Sequence, residues 1–477
     1  MNDKKVNRRD FLKSAAILSA GGLLAACAPA AQPAAATKAP ESAPTATTAA
    51  EAPAATPTNP PPAGSSEKTL EFWSGWGDST YGQCWKKIVE TDEFKSLVGG
   101  QNVECKLGID DTALLTAIAG GTPPDGASNI NYIDYMSRDV ALPVDDFVKA
   151  SKVVNKADFL EAQWDIGAYK GKQYGLPAIE CFVQQGLTYN EKLVKDAGLD
   201  PDKPPETWDD LYEWHKAITK TDASGNVKVI GYNPTDFMGQ TIWASSAWDV
   251  STSWGFDWYD ENSGKFNLNN DSMVDYFKTS KRFVDLIGMD KMTAFYGVQG
   301  QGSWGGAYYS GTLATMLDGY WEPGEIASVS ADLSKVNRSS WIPVPASKKG
   351  TKAQGAGGHI VLVFKGAKHN ELMYKISEWL TTQTPSDINF KTVGWLPARA
   401  KYLDAVDPKT YAGLEFFLKS AKEATYWGKT YKCPITNFIG TIYPQVREDV
   451  YRGNTTPEKA AADLQKRSED ELKKQGF

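Results

Sequence analysis

The sequence predicts an α/β protein of two lobes, and three observations predict it. At 477 residues the chain is too long for one small core. Short runs rich in aromatic and β-branched residues alternate with segments of helical period. The stretch from Gly171 to Leu211, GKQYGLPAIECFVQQGLTYNEKLVKDAGLDPDKPPETWDDL, reads as strand, helix, loop and helix with its caps in place. Hydrophobic residues at 41% are ordinary for a globule, whereas 12% aromatic residues with 16 Trp is high.

Taken in order, Met1 to Ala26 reads as an export signal. Asn7-Arg8-Arg9-Asp10-Phe11-Leu12-Lys13 fits the twin-arginine pattern, and the apolar run from Ala15 to Ala26 is too short to span a bilayer. Leu24-Ala25-Ala26-Cys27 has the form of a lipobox, so Cys27 is expected to be lipidated and to become the first residue of the exported chain. Ala28 to Ser66 is mostly Ala, Pro and Thr with no large hydrophobic residue. It cannot bury enough surface to offset its ordering entropy and is expected to be a disordered tether. Part-extended by proline, it reaches at most roughly 120 Å.

Beyond Ala26 the chain carries 46 Lys/Arg against 56 Asp/Glu, a formal charge of −10. Such a body gains nothing from nucleic acid or anionic lipid surfaces. Four further cysteines, Cys84, Cys105, Cys181 and Cys433, show neither CxxC nor metal spacing. An oxidising compartment permits bridges, but twin-arginine export carries proteins already folded in a reducing one, so buried thiols are favoured and disulfides stay open.

The body begins with a strand, Thr69 to Trp73, and an amphipathic helix from about Thr80 that turns Trp85, Ile88 and Val89 inward. A strand from Val103 to Leu107 and a helix from Asp111 to Ala119 follow. Tyr174 to Tyr189 is one β-type run, Asn190 caps a helix from Glu191 to Ala197, and Gly198 stops it. Thr207 and Asp210 stand in capping-box spacing at the start of another helix. Ile230 to Asn270 is dense in aromatics, among them Trp243, Trp248, Trp254, Phe256 and Trp258. Helices are predicted over Ser272 to Ile287, over Glu371 to Leu380, and from Thr456-Pro457 to about Lys474.

Particular words within this frame resemble a known family. "YGLP", "YNEKL", "AGLDP" and "PPETWDDL" in the opening stretch are similar to the central signature of family 1 extracellular solute-binding proteins, the group of maltose-binding protein. "AGGTPPD" at Ala119 to Asp125, "LPVDDF" at Leu142 to Phe147, and Tyr308 to Met316 with Gly319-Tyr320-Trp321 fit further words of that family. Pro343-Val344-Pro345, Gly357-Gly358 and Gly394-Trp395-Leu396-Pro397 do so too, all in the family's order. One departure is Gly126-Ala127-Ser128, where the family has Val and a buried strand; here the loop is expected closer to the ligand.

The resemblance implies a two-lobe periplasmic-binding-protein fold, type II-like, with a multi-strand hinge. Lobe 1 is expected at about 67–179 and 341–390, lobe 2 at about 190–340 and 391–477. It also implies a monomeric substrate-binding lipoprotein of an ABC importer, anchored outside the cytoplasm. Such a protein closes around a carbohydrate, oligosaccharides above all, and passes it to permease subunits with no cofactor and no chemistry of its own. The rival class is an extracytoplasmic glycoside hydrolase, because many Trp with scattered Asp and Glu would also serve two carboxylates flanking a glycosidic bond.

No catalytic machine stands out. His215, His359 and His369 are too far apart in sequence for HxxxH zinc ligation, and neither GxSxG nor GxxxxGK[ST] occurs. Gly300 to Gly305 matches GxGxxG but lacks the strand that a dinucleotide site needs in front of it. Sugar recognition fits the inventory better: aromatic faces cover the C–H face of a pyranose, and amides and carboxylates pair its hydroxyls. The family resemblance makes Trp321 the leading stacking residue and places Glu180 beside the hinge Pro177. Trp76, Asp78, Asn131, Tyr132 and Gly358 are expected on cleft loops. Trp243, Trp304, Trp395 and Tyr443 are further candidates with core packing as the alternative. His359 is expected to be structural.

Overall fold

The computed structural model describes residues 69–234, 247–298 and 306–477. The export signal, Cys27, the tether, Trp243, Trp304 and the GxGxxG segment lie outside these. Among the described residues no helix is long and apolar enough to cross a membrane.

Two mixed sheets carry the chain. In the first, Thr69–Ser74 pairs in parallel with Asn102–Leu107 and Gly126–Ser128, and the long strand Ala353–Val363 pairs antiparallel with Gly126–Ser128 and with Gly175–Val183. In the second, the order is Asn337–Ser340, Gly186–Asn190, Leu313–Asp318, Val227–Tyr232 and Lys220–Thr221. Helices cover the sheets, and each sheet has its own hydrophobic cluster. Local chemistry sets the helix ends as the sequence predicts. Asp110 and Asn190 accept the amides of Ala113 and Leu193, and Thr207 with Asp210 forms a complete capping box.

Three expectations change. The run from Tyr174 to Tyr189 is two strands, Gly175–Val183 and Gly186–Asn190, and the break at Gln184-Gln185 is where the chain leaves one sheet for the other. A short strand does form after the PPD turn, at Gly126–Ser128. The lobe limits also shift: Ile342 and Val344 pack with the second cluster, whereas Trp395, Leu396, Leu414 and Phe417 pack with the first. The chain returns to the second cluster at Tyr426 and Tyr431. Cys84, Cys105 and Cys433 are free thiols, and burial pushes Cys84 and Cys433 up to about 12.

The crossings between lobes are tied by one buried amide. Gln354 is fully buried; its Oε1 accepts the amides of Gln185 (2.7 Å) and Gly355 (2.9 Å), and its Nε2 donates to the Gln185 carbonyl and Ser420 Oγ (both 2.9 Å). All four positions of the side chain are used, across two crossing strands and the helix Leu414–Glu423. Gln354→Ala should therefore cost about 2–3 kcal/mol, because it strands buried groups of Gln185 and Ser420. Chemical denaturation checks this, and a variant as stable as the parent would remove the role.

A second link joins the lobes by side chains. Asp134, on the helix Tyr132–Ser137, accepts Asn437 Nδ2 at 3.1 Å from the helix Thr436–Tyr451. Burial pushes the Asp134 carboxyl up to about 7, with Asp111 adding to the rise and Arg138 opposing it. The folded state then holds a proton that the unfolded state loses near pH 4, so stability falls as pH rises from about 4 to about 7 and is level above. Asp134→Asn should abolish that slope and raise stability at pH 8 by on the order of 4 kcal/mol. Melting curves of both proteins across that range test it; parallel pH profiles would refute it.

Candidate ligand-binding site

A cavity of about 370 Å³ opens between the two sheets. Its first-lobe wall is the loop after the strand Gly126–Ser128, with Asn129, Ile130, Asn131 and Tyr132, joined by Gly357, Gly358 and His359. Gln184 enters from the break in the first crossing, and Trp258, Thr430, Tyr431 and Lys432 close the far side.

Backbone fit determines where these groups stand. Gly75 lies so close to the Asn129 carbonyl that a Cβ would approach its oxygen to 2.1 Å, which pins the loop to the first strand. Tyr132 Oη receives the amide of Asn129 at 2.8 Å and lies 3.3 Å from Ser128 Oγ. At Gly357 a Cβ would sit 1.8 Å from Gln184 Oε1, so the missing side chain is what lets the Gln184 amide lie against the wall.

His359 gains its position from an irregular ladder. Its strand pairs His359 with Glu180, but the next residue, Ile360, pairs with Pro177, so Ala178 and Ile179 are extra residues on the partner strand. Such a bulge re-aims side chains, and here it sets Glu180 Oε1 against His359 Nδ1. Glu180 is buried, and its Oε2 has no hydrogen-bond partner among the described residues. Behind His359, aromatic rings run back into the lobe. The Trp76 ring lies 4.3 Å from His359 and 4.7 Å from Trp395, and Trp395 lies nearly parallel to Tyr81 at 6.3 Å.

Several expected site residues stand elsewhere. Asn131, Tyr132 and Gly358 line the cavity. Trp76 supports His359 from behind, and Glu180 holds it from the strand beneath. Asp78 is on the surface and pairs with Lys86 at 2.7 Å, because its loop turns outward before the helix Tyr81–Ile88. Trp395 is buried and donates Nε1 to Glu325 at 3.3 Å. Trp321 is buried at 5% exposure in the first hydrophobic cluster, with its ring edge-on to Tyr320 and closely over Gly319. Tyr443 is a core residue of the second lobe, fully buried beside Tyr276, Phe277 and Arg447; burial holds its phenol well above the usual range.

The cavity also uses residues that the sequence did not single out as a site. His359, expected to be structural, is on the wall. Trp258 was visible only as one aromatic among many, and it packs on Tyr431 at 4.8 Å. Tyr431 Oη reaches Asp257 Oδ1 at 3.0 Å. The Lys432 ammonium is buried and bonded to Asp165 Oδ2 at 2.9 Å. No Asp or Glu is among the described residues that line the cavity.

The family model for bacterial extracellular solute-binding proteins matches residues 78–384. No curated protein sequence matches the chain. Among solved structures, CpMnBP1 with mannotriose bound is 21% identical, with a TM-score of 0.71 over 84% of this chain and 99% of that one. The sugar-binding protein MalE from Xanthomonas citri is 20% identical, with a TM-score of 0.65 over 85% of this chain and 98% of that one. UgpB from Mycobacterium tuberculosis in complex with glycerophosphocholine is 15% identical, with a TM-score of 0.66 over 86% and 99%. At these identities the likeness establishes a shared two-lobe fold. The family match covers more than half of the sequence, and the chain belongs to the bacterial extracellular solute-binding proteins.

Proposed function

We propose that the chain is the substrate-binding lipoprotein of an ABC importer and that it takes a carbohydrate, an oligosaccharide, into the cavity between its lobes. One observation carries the reading: the described lining is aromatic and amide in character and holds no carboxylate. Tyr132 offers a ring face to sugar C–H groups, with the buried Trp258 and Tyr431 rings packed beneath the far wall, while Asn129, Asn131 and Gln184 offer both donors and acceptors to hydroxyls. Structures of the same fold hold mannotriose, cycloalternan and maltotriose.

A glycosidase would need two carboxyl groups about 5–9.5 Å apart across the bond. The carboxylates behind the wall are engaged: Glu180 with the His359 ring, Asp257 with Tyr431 and Asp165 with Lys432. A phosphorylated polyol, the kind of ligand held by UgpB, is less well served: Lys432, the cation on the lining, is already bonded to Asp165. The importer role also involves permease subunits that receive the closed, loaded form, with the protein acting as a monomer. Export by the twin-arginine route and a lipid on Cys27 rest on the sequence.

A sugar panel screened by thermal shift, with analysis of the glycan afterwards, tests the reading. A stabilising glycan recovered intact supports it; reducing ends released over time overturn it in favour of the hydrolase. Gly357→Ala should lower affinity for that glycan by about tenfold, because the new methyl group displaces the Gln184 amide. The clash is with the end of a flexible side chain, so the unliganded variant should melt close to the parent. Unchanged affinity by calorimetry would remove Gln184 from the site. For the anchor, Cys27→Ser should move the protein from the membrane to the soluble fraction with affinity unchanged, and a variant still pelleting with membranes would defeat it.

A further inference from the structure

A second, larger hollow of about 1,210 Å³ adjoins the cavity. Thr430 and Tyr431 line both. Asp165 lines the outer hollow, while Ile166 beside it and Lys432, its ion-pair partner, line the inner one. The two spaces therefore meet along one wall. We propose that the outer hollow is an additional subsite, in which Trp427 stacks on the sugar units of a bound oligosaccharide that extend beyond the inner cavity. The proposal rests on the carbohydrate reading of that cavity.

Size is the first argument. The inner cavity lies low in the roughly 300–1,000 Å³ range of small-molecule sites, so a longer glycan has units left outside it. The outer hollow is where a chain leaving past Tyr431 arrives.

The second argument is Trp427 itself. It is 37% exposed, and among the described residues no aromatic ring stacks on it. The strand Tyr426–Gly428 pairs with Ala353–Gly355, which sets Trp427 opposite Gln354. Side chains alternate along a strand: Tyr426 packs toward the second cluster, and Gly428 lies so close to Thr252 that a Cβ would come within 2.0 Å of its Oγ1. Trp427 is thus turned the other way, toward the hollow, on a backbone held from two sides. A ring fixed in advance loses little entropy when a sugar covers it.

The polar rim completes the match. Asn262, Ser263 and Asn267 supply amide and hydroxyl groups, and the Lys429–Asp257 pair places a donor and an acceptor side by side, both partly exposed. Unlike the inner cavity, this rim also carries carboxylates, Glu161, Asp165, Asp257, Asp260 and Glu261, which can accept from sugar hydroxyls in a space open to solvent and suited to a chain of varied length.

The test is calorimetry of the full chain with two probe ladders, mannobiose to mannohexaose and maltose to maltohexaose, for the parent, Trp427→Ala and Trp427→Phe. In the ladder that binds, parent affinity should increase with length beyond the disaccharide. Trp427→Ala should lose about tenfold on the longer members and nothing on the disaccharide, and Trp427→Phe should keep most of the gain. Affinities are compared at a temperature where melting curves show each protein folded, with Trp427→Phe expected to melt closer to the parent than Trp427→Ala, since the ring is only 37% exposed. Parent affinity that does not vary with length, or a Trp427→Ala protein that binds every length as the parent does, overturns the outer subsite and leaves the inner one standing. Equal losses at all lengths overturn it as well. A parent that binds no member of either ladder overturns both readings together.

Discussion

The amide of Gln354 is the contact on which the rest of the arrangement depends. Two sheets joined by single strands would be free to rotate about each crossing separately. Gln354 bonds its own strand, the break at Gln185 in another crossing, and the helix that precedes the third passage between the lobes. A buried amide with every donor and acceptor satisfied has one good geometry, so the crossings are held in one mutual register. The wall of the cavity is built on both sides of this tie, by Gln184 next to Gln185 and by Gly357 to His359 a few residues beyond Gln354. Binding and bending are in that sense properties of the same few residues.

The cavity wall itself is organised by what is missing from it. Gly357 has no side chain, and the space it leaves is filled by an amide from the neighbouring strand. The bulge between Glu180 and Pro177 breaks the regular alternation of faces, and it brings a carboxylate and an imidazole together beneath a row of indole and phenol rings. Rings stacked from Tyr81 through Trp395 and Trp76 give His359 a rigid backing, which suits a group that must meet a ligand without rearranging.

Much of the fold was legible because it is written in local chemistry. The helices at Asp111, Glu191, Trp208 and Pro457 announce themselves by caps, and the strand Thr69–Ser74 by its composition. The division of the run after Tyr174 was not legible, since Gln184-Gln185 carries no turn signal and breaks only because the chain changes sheets there. The site was legible where a loop follows a recognisable word, as at Asn131 and Tyr132. Asp78 and Tyr443 show the limit: a polar or aromatic residue at the right place in the order of words still needs a direction, and that is set by packing. His359, Gln184 and Tyr431 had no sequence signal, because a bulge, an absent methyl group and a crossing segment bring them to the wall.

The contact between Asp134 and Asn437 has a consequence for motion. The two residues belong to helices of different lobes, and burial raises the Asp134 carboxyl to about 7. Parting them would return that carboxyl to solvent, where it ionises as an ordinary acid. If parting the lobes exposes Asp134, the joined shape is the more protonated one between about pH 4 and pH 7. Acid would then favour the joined shape, the same direction in which a ligand held between the lobes acts, with no contact between proton and ligand.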